Sequence, residues 1–363
     1  MDYGVLHWSY RDFRQIPEEL RTYCVSIVEL YLKENFIPFI PRWFFEEMKN
    51  LRFICLAGNL ITDIPEQISL MFQLEDLDLS QNAIEKLPNA MGMLCNLTRL
   101  KLNENKLLCL PREIGFLHKL EILELSKNRL FEIPIELSRC INLKELVLDD
   151  NYLLSRIPTK VFTLPQLIYL SSERCNLVLL PFVVNVNSLE HLKLFNNYTV
   201  THYPIVLEKF MQPNYETFNI VERNRVSKSL YVQRVNCEAS PHNLIFPIEL
   251  SKILDRRKTT QLPNTLVELC LRMGHNIKLG ESNCLEHWLP MDLYRRLREG
   301  PISVCGSVPC SKDIFSECVL GLVKRRKYAR MMMFSIVFCS KLCADRWFQY
   351  NCDVYDELSW TLV

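Results

Sequence analysis

Nine prolines recur at nearly constant spacing along the first two hundred residues of this chain. Each follows Ile, Leu or Tyr, and the gaps between them are 24, 24, 23, 23, 23, 24, 23 and 23 residues. They are Pro17, Pro41, Pro65, Pro88, Pro111, Pro134, Pro158, Pro181 and Pro204. Half of the 18 prolines therefore share one register. A period of this length is typical of solenoids and other repeat architectures, in which each repeat stacks on its neighbours.

A second register lies six or seven residues before the last eight of these prolines. Its members are Asn35, Asn59, Asn82, Asn105, Asn128, Asn151, Cys175 and Asn197. Around Asn105, the leucines at 97, 100, 102, 107 and 110 complete a unit that resembles the leucine-rich-repeat pattern. The alternation of Leu100 and Leu102 predicts a short strand with one buried face, and the asparagine amide is expected to bond loop backbone groups. The segment after each proline should return along the convex side.

The predicted fold is an α/β leucine-rich-repeat solenoid, with parallel strands on its concave face and a small C-terminal domain that is helical and zinc-ribbon-like. The predicted parts are a half-repeat cap at residues 1–24, a solenoid of about eight repeats at 25–215, and an irregular connector at 216–262. A two-helix segment at 263–300 and a cysteine-rich tail at 301–363 follow.

The repeat leucines account for the core, so a binding function should lie on the concave residues between them. Aromatic and arginine side chains are common anchors in protein interfaces. The candidates for contact with a protein substrate are Tyr31, Phe53, Arg99, Lys101, Tyr169, His191, Lys193 and Phe195.

Charge and composition narrow the classes of function. The net charge is +1, which favours neither nucleic acid nor an acidic membrane as partner. The apolar run Met331–Cys339 is too short to span a bilayer, and the N-terminus lacks the pattern of a secretion signal. The 15 cysteines, an odd number, indicate a reducing compartment, so we expect a cytoplasmic location, with the nucleus as a second one. No phosphate loop, nucleophile elbow or His-carboxylate motif is present, so we expect a non-catalytic protein.

Two helices are predicted after the connector. In the first, Thr265 and Glu268 form a capping box, and Leu266, Leu269, Cys270 and Met273 share one apolar face. That face is also what an ordinary core helix would show. In the second helix, Pro290 suits the first turn, and Leu289, Leu293 and Leu297 share one side.

Two cysteine pairs follow the helices, with 28 residues between them. The pairs are Cys305 with Cys310 and Cys339 with Cys343. Four thiolates at such spacing predict a structural zinc site, because a four-cysteine shell leaves no open position for water. Cys318 is an alternative ligand, and buried cysteines without metal are the alternative interpretation.

The tail also resembles that of a known family. Residues 262–272, Leu289-Pro290, the pair Cys305/Cys310, Ile314-Phe315 and Phe338–Cys343 look like the C-terminal part of the leucine-rich repeat-containing protein 28-like family. Its relatives include leucine-rich repeat-containing protein 58 and leucine-rich repeat protein 1. The resemblance implies a substrate receptor of a cullin-RING ubiquitin ligase that binds elongin B/C and cullin-2.

The same resemblance assigns two partner-binding boxes. Thr265, Leu266 and Cys270 match an elongin-C box, whose last apolar position falls on Gly274, one residue after Met273. Leu289, Pro290, Leu293 and Leu297 match a cullin-2 box. The alternative function is a signalling scaffold that binds a small GTPase or a phosphatase through its repeats. A zinc-dependent nucleic-acid binder is disfavoured by the near-zero charge.

Overall fold

The structure of the chain is a computed structural model. It describes residues 4–178, 180–185, 187–194, 196–197, 203–210, 232–237, 244–247, 266–276, 289–301, 303–307, 310, 312–315, 319–325, 333–357 and 360–362. These residues belong to two compact units. The first comprises Met1–Ile157, Thr163–Asn176 and Asn185–Asn196, and the second Pro158–Phe162, Leu177–Val184 and Asn197–Val363. Within the described ranges, no helix is long and apolar enough to cross a membrane.

The first unit contains a parallel sheet of nine three-residue strands in chain order. The strands are β1 (Val5–His7), β2 (Glu29–Tyr31), β3 (Phe53–Cys55), β4 (Asp76–Asp78), β5 (Arg99–Lys101), β6 (Ile122–Glu124), β7 (Glu145–Val147), β8 (Tyr169–Ser171) and β9 (His191–Lys193). The middle residue of β2 to β8 is a buried leucine or isoleucine, such as Leu100. The predicted leucine-rich-repeat solenoid is therefore confirmed, and β1 adds a ninth strand at its N-terminal end.

The proline register marks where the return segments begin. One short α-helix and seven 3₁₀ helices each start directly after a register proline. They are α1 (Arg42–Glu47) and the 3₁₀ helices Glu18–Tyr23, Glu66–Leu70, Asn89–Met93, Arg112–Phe116, Ile135–Arg139, Thr159–Thr163 and Ile205–Phe210. At Pro111, φ is −66° and ψ is 148°. A proline suits this place because a helix start leaves backbone N–H groups unbonded and proline fixes φ near the helical value.

The register asparagines bond loop backbone groups, as predicted, and they also join each repeat to the one before it. The Asn128 amide donates to the carbonyl oxygens of Leu125 (3.0 Å) and Leu102 (2.9 Å), and its Oδ1 accepts from the N–H of Leu107 at 3.0 Å. Where Cys175 replaces asparagine, its thiol lies 3.3 Å from the Leu148 carbonyl oxygen. Buried backbone groups need such partners, so this polar residue holds the inner loops together.

The residue before each register asparagine has a left-handed backbone. The φ angles are 52° at Glu34, 55° at Gln81, 57° at Glu104, 54° at Lys127, 59° at Asp150, 50° at Arg174 and 57° at Asn196. Only at Gly58, with φ of 66°, does a glycine occupy this position among the described repeats. The other repeats carry side chains in a conformation that glycine adopts with less strain.

The described residues of the second unit include three small sheets and three α-helices. Its strands are β10 (Tyr203–Pro204), β11 (Val232–Cys237), β12 (Leu244–Pro247), β13 (Ser303–Val304), β14 (Asp313–Ile314), β15 (Val319–Arg325), β16 (Met333–Phe338), β17 (Tyr355–Glu357) and β18 (Trp360–Leu362). The sheet orders are β10-β16-β15-β17, β12-β11-β18 and β13-β14. The helices are α2 (Leu266–Asn276), α3 (Met291–Glu299) and α4 (Lys341–Asn351).

Two features of this unit differ from the simple division predicted from the sequence. Tyr203 and Pro204, assigned to the last repeat, form the edge strand β10 and pair in parallel with β16. A proline is tolerated there because an edge strand leaves one side of its backbone unpaired. The predicted connector contributes β11 and β12, which pair antiparallel, and β11 also pairs with β18.

Candidate functional site

The first and third residues of β1–β9 form the surface that we call the concave face. Parallel pairing aligns the first residues in one row and the third residues in another, so that Phe53 lies beside Glu29 and Asp76. Seven predicted substrate contacts lie in these rows: Tyr31, Phe53, Arg99, Lys101, Tyr169, His191 and Lys193. The eighth, Phe195, lies outside the described residues.

Ion pairs between neighbouring repeats neutralise much of this surface and its borders. Each joins residues one repeat apart: Arg52 with Glu75 (3.4 Å), Arg99 with Asp76 (3.4 Å), Lys101 with Glu124 (3.2 Å), Lys127 with Glu104 (2.9 Å), Lys144 with Glu121 (2.8 Å) and Arg174 with Asp150 (2.6 Å). Surface pairs of this kind each contribute little stability. Two basic residues of the predicted contact set, Arg99 and Lys101, are thus already partnered within the protein.

The N-terminal end of the concave face carries a ladder of three rings. The rings of His7 and Tyr31 stack with centroids 4.4 Å apart, and those of Tyr31 and Phe53 are 4.7 Å apart. The Tyr31 hydroxyl donates to Glu29 Oε2 at 3.1 Å. The sequence prediction missed His7 and Glu29, although His7 stands in the same strand position as Tyr31 one repeat earlier.

Carboxylates border this ladder on the C-terminal side. Asp76 follows Phe53 in the first row, and Asp78 follows Cys55 in the second. The Asp76 side chain is 15% exposed, and burial raises its pKa against the opposing effect of Arg99. Asp78 accepts hydrogen bonds from the N–H and the hydroxyl of Ser80 at 3.0 and 2.6 Å. The arrangement therefore joins aromatic faces to partly desolvated negative charge.

The C-terminal end of the concave face has a different aromatic arrangement. The Lys193 ammonium lies 5.4 Å from the Tyr169 ring centroid, and the His191 ring is 6.2 Å from the same centroid. The hydrogen bond with Tyr169 raises the pKa of Lys193, so the amine stays charged. Here the protein supplies its own cation to the aromatic face.

Helix α2 has one face in the tail core and another in solvent. Leu271 packs with Leu297 and Phe315 in a buried cluster. On the other face, Cys270 is exposed and Met273 is 64% exposed. Of the predicted elongin box, Thr265 lies outside the described residues, and Leu266 begins α2.

Glu268 anchors α2 by a contact that the sequence did not predict. The capping box had this carboxylate bonding back to the start of the helix. In the structure it is fully buried, and its Oε1 accepts from the N–H of Phe315 and from the Arg272 guanidinium, each at 3.0 Å. The bond to Phe315 fixes the helix to the residue that follows β14.

Helix α3 begins after Pro290, as predicted. Leu297 is 6% exposed and lies in the core cluster with Leu271, while Leu289 and Leu293 pack against the edge of that cluster. Pro290 itself is exposed. The predicted cullin box is therefore divided, with Leu297 inside the fold and Pro290 at its surface.

The four predicted metal ligands lie together. The Sγ atoms of Cys305, Cys310, Cys339 and Cys343 are all within 4.8 Å of one another, so the group can hold a metal ion. Cys339 Sγ is 3.4 Å from that of Cys310 and 3.7 Å from that of Cys343. Cys318, the alternative ligand, lies outside the described residues.

Local backbone geometry explains how these cysteines converge. Cys305 follows β13, and its N–H donates to the Lys312 carbonyl oxygen at 2.8 Å, which closes the turn that carries Cys310. Cys339 follows β16, and its N–H points at Cys305 Sγ at 3.4 Å. Cys343 is in the first turn of α4, whose N-cap Ser340 accepts from the Cys343 N–H.

The thiols of this cluster differ in pKa. The hydrogen bond between the thiols of Cys305 and Cys339 lowers the pKa of Cys305 and raises that of Cys339 to about 12. Burial raises the pKa of Cys310. Protons shared in this way would leave as the thiolates bind a metal ion.

Part of the first unit matches a known family of repeats. A family model described as leucine-rich repeat matches residues 25–84. A leucine-rich-repeat protein of Leptospira interrogans is similar, with 26% identity and a TM-score of 0.42 over 50% of this chain and 52% of that one. Internalin C2 of Listeria monocytogenes is also similar, with 21% identity and a TM-score of 0.46 over 53% of this chain and 80% of that one. This chain thus spans about half the length of the first of these. No curated protein matches it.

The class of the fold follows from the stacked strands, the return helices and the asparagine ladder: it is a solenoid. The described repeats form a leucine-rich-repeat solenoid. Solenoids of this class present an extended surface for binding other proteins, so the repeats form a protein–protein interaction module.

Proposed function

We propose that this protein is a substrate receptor of an elongin–cullin ubiquitin ligase, acting in the cytoplasm and in the nucleus. In this role, the concave face holds a protein substrate and α2 binds elongin C of the elongin B/C pair. The chain performs no chemistry and raises the effective concentration of the substrate near the ligase.

The observation that carries the proposal is the exposed face of α2. Cys270 and Met273 are exposed, although Leu271 and Glu268 of the same helix are buried in the tail. Positions three or four apart lie on one side of a helix, so Cys270 and Met273 share a surface with the position of Leu266. An apolar helix face of this kind suits insertion into a groove of a partner.

The second helix gives a separate role to the cullin box. Leu297 packs against Leu271 and therefore acts by holding α3 against α2. Pro290, which is exposed, and Leu289 and Leu293, which are half-buried, remain for contact with cullin-2.

Co-purification of the full chain with elongin B and C tests the first contact. We expect the double variant Cys270→Asp, Met273→Asp to lose the elongins, because two charges would enter an apolar groove. Met291→Asp, at an exposed methionine of α3 that is not part of the elongin box, is the matched control and should retain them. The proposal is wrong if the wild-type chain recovers no elongin, or if the double variant recovers as much as the control.

Cullin-2 binding can be separated from elongin binding. Pro290→Asp should lower the recovery of cullin-2 while elongin B and C stay bound. A scaffold that binds a GTPase or a phosphatase through its repeats would need neither box. Unchanged recovery of all partners in both variants would therefore favour that alternative.

We further propose that the four clustered cysteines bind one structural zinc ion. A tetrahedral Zn–S shell with bonds of about 2.3 Å places sulfur atoms about 3.8 Å apart. The distances of 3.4 and 3.7 Å from Cys339 Sγ to its neighbours are close to that value. Four thiolates would leave no open position, so the ion would stabilise the tail and not react.

Metal analysis of the purified chain tests this second proposal. We expect about one zinc per chain, and a large loss of zinc in Cys310→Ser and in Cys343→Ser. Cys352→Ser, at an exposed cysteine of the same tail, should keep its zinc. A metal-free chain with a folded tail would contradict the proposal.

A further inference from the structure

The aromatic residues at the two ends of the concave face differ in whether a cation lies over the ring. At the C-terminal end, Lys193 lies over the ring of Tyr169. At the N-terminal end, no lysine or arginine of the described residues lies over Tyr31 or Phe53. Both rings are half-buried, so each leaves part of its surface to solvent. The Tyr169 pair shows that this sheet geometry accommodates a cation above a ring.

Negative charge surrounds the aromatic pair that lacks a cation. Glu29 and Asp76 flank Phe53 in the same row, and Asp78 lies in the next row. Burial raises the pKa of the Cys55 thiol in this patch, and the charge of Lys33 opposes that effect. Two further cations are near: Arg99 pairs with Asp76, and Lys101, which lies beside Asp78, pairs with Glu124.

The partner of Asp76 leaves room for a competing cation. Arg99 approaches Asp76 at 3.4 Å through one nitrogen, and the Arg99 side chain is 56% exposed. A single contact at this distance in solvent is weak. The Asp76 carboxylate is partly desolvated and lies beside the Phe53 ring. A cation that covers this ring would therefore interact with Asp76 more strongly than exposed Arg99 does.

We propose that Tyr31, Phe53, Glu29 and Asp76 form a binding site for an arginine side chain of a basic segment in the protein held by the solenoid. The guanidinium plane lies on the face of the Phe53 ring that Tyr31 does not cover, and its N–H groups donate to the carboxylates of Glu29 and Asp76. Arginine fits better than lysine because its planar group stacks on rings and pairs with carboxylates at the same time. Nucleic acid is a poor occupant because these carboxylates repel phosphate.

This inference deepens the substrate-holding part of the proposed function, on which it rests, and names the chemistry of the partner. It makes no use of α2 or of the cysteine cluster. The two proposals can therefore fail separately, since elongin recovery measures one and peptide binding at the concave face measures the other.

The test measures binding of the full chain to the labelled peptide Gly-Arg-Gly-Arg-Gly by fluorescence anisotropy. Two peptides of the same length, with citrulline or lysine in place of arginine, serve as probes of charge and shape. We expect the arginine peptide to bind at least fivefold more tightly than the citrulline peptide, and more tightly than the lysine peptide. Binding should weaken as salt is raised, because charge pairing is screened.

Variants locate the peptide on the concave face. Asp76→Asn and Glu29→Gln, which keep side-chain size, should each weaken binding of the arginine peptide severalfold, and Phe53→Ala should do the same. Glu145→Gln, at an exposed carboxylate in the same row towards the other end, is the matched control and should bind like the wild type. In each variant, elongin recovery should match that of the unmodified chain.

Three results would overturn the inference. They are no measurable binding of the arginine peptide, equal binding of the citrulline peptide, and binding that Asp76→Asn and Glu29→Gln leave unchanged. Because Asp76→Asn and Glu29→Gln preserve side-chain size, they test the inference even if Phe53→Ala does not fold.

Discussion

The Oδ1 atom of Asn105 accepts a hydrogen bond at 3.0 Å from the backbone N–H of Ile84, which belongs to the preceding repeat. The amide nitrogen of the same side chain donates to the carbonyl oxygens of Leu79 (2.9 Å) and Leu102 (3.1 Å). One buried side chain thus supplies partners to three backbone groups in two repeats. The stability of the solenoid should depend on such side chains far more than on exposed ones.

Replacing Asn105 with alanine should lower the free energy of unfolding by about 2–4 kcal/mol, because buried backbone groups lose their partners. Asn105→Cys should cost less, since the natural Cys175 bonds the Leu148 carbonyl oxygen from the same position. Asn103→Ala is the control, at a half-buried asparagine two residues away. Urea unfolding measures all three, and equal costs at positions 105 and 103 would contradict the role given to the register.

Gly115→Ala should destabilise the solenoid by about 1–3 kcal/mol through overpacking. An added Cβ would lie 2.5 Å from the Glu136 carbonyl oxygen, which is backbone and cannot move aside cheaply. Gly4→Ala meets nothing within 4 Å and should be neutral or slightly stabilising. Thermal unfolding of the two variants provides the comparison. A Gly115→Ala chain as stable as Gly4→Ala would show that neighbouring return helices are less closely packed than described.

The pH dependence of stability should change in a defined direction in Asp76→Asn. Burial raises the pKa of Asp76 above its usual value of 3.8. The favourable contribution of the protonated form is therefore complete below pH 3.8 and is lost as the pH rises through the folded-state pKa. The variant should gain stability relative to the wild type between acidic and neutral pH. Urea unfolding at several pH values checks this, and a relative loss for the variant at neutral pH would mean that the pairing with Arg99 outweighs burial.

Removal of metal should loosen α2 as well as the cysteine cluster. The N–H of Phe315, which follows β14, donates to Glu268 of α2, and the turn with Cys305 and Cys310 precedes that strand. We expect chelation, or Cys343→Ser, to increase hydrogen exchange in α2 while peptides from residues 89–150 keep their protection. Cys352→Ser should change neither region. Unchanged exchange in α2 after complete loss of metal would show that the helix is held independently of the cluster.

The sequence predicted the parts of this structure that repeat, because periodicity multiplies a weak local signal. Proline and asparagine registers located the strands, the return segments and the polar ladder. The sequence did not predict the left-handed backbone before each asparagine, because nothing in the sequence distinguishes Gln81 or Lys127 from other polar residues. Glycine would have marked them, and only Gly58 does so among the described repeats.

In the tail, the sequence predicted only the features that are marked by distinctive residue types. The spacing of four cysteines predicted that they lie together, and Pro290 predicted the start of a helix. The link from Glu268 to Phe315 joins residues 47 positions apart and has no local signature. In the same way, the rows of the concave face reveal which aromatic ring is covered by Lys193 and which is not. That distinction depends on neighbours across strands and not on neighbours in sequence.

The ion pairs between adjacent repeats also restrict how such a protein can evolve. Asp76, Arg99 and Ile122 follow one another in one row, as do Asp78, Lys101 and Glu124 in the next. Copying the repeat of β5 would set a second Arg99 beside the first and a second Lys101 beside its twin. The backbone would accept the insertion, since all repeats share one shape. Like charges on adjacent strands would disfavour it, so neighbouring repeats are not freely interchangeable.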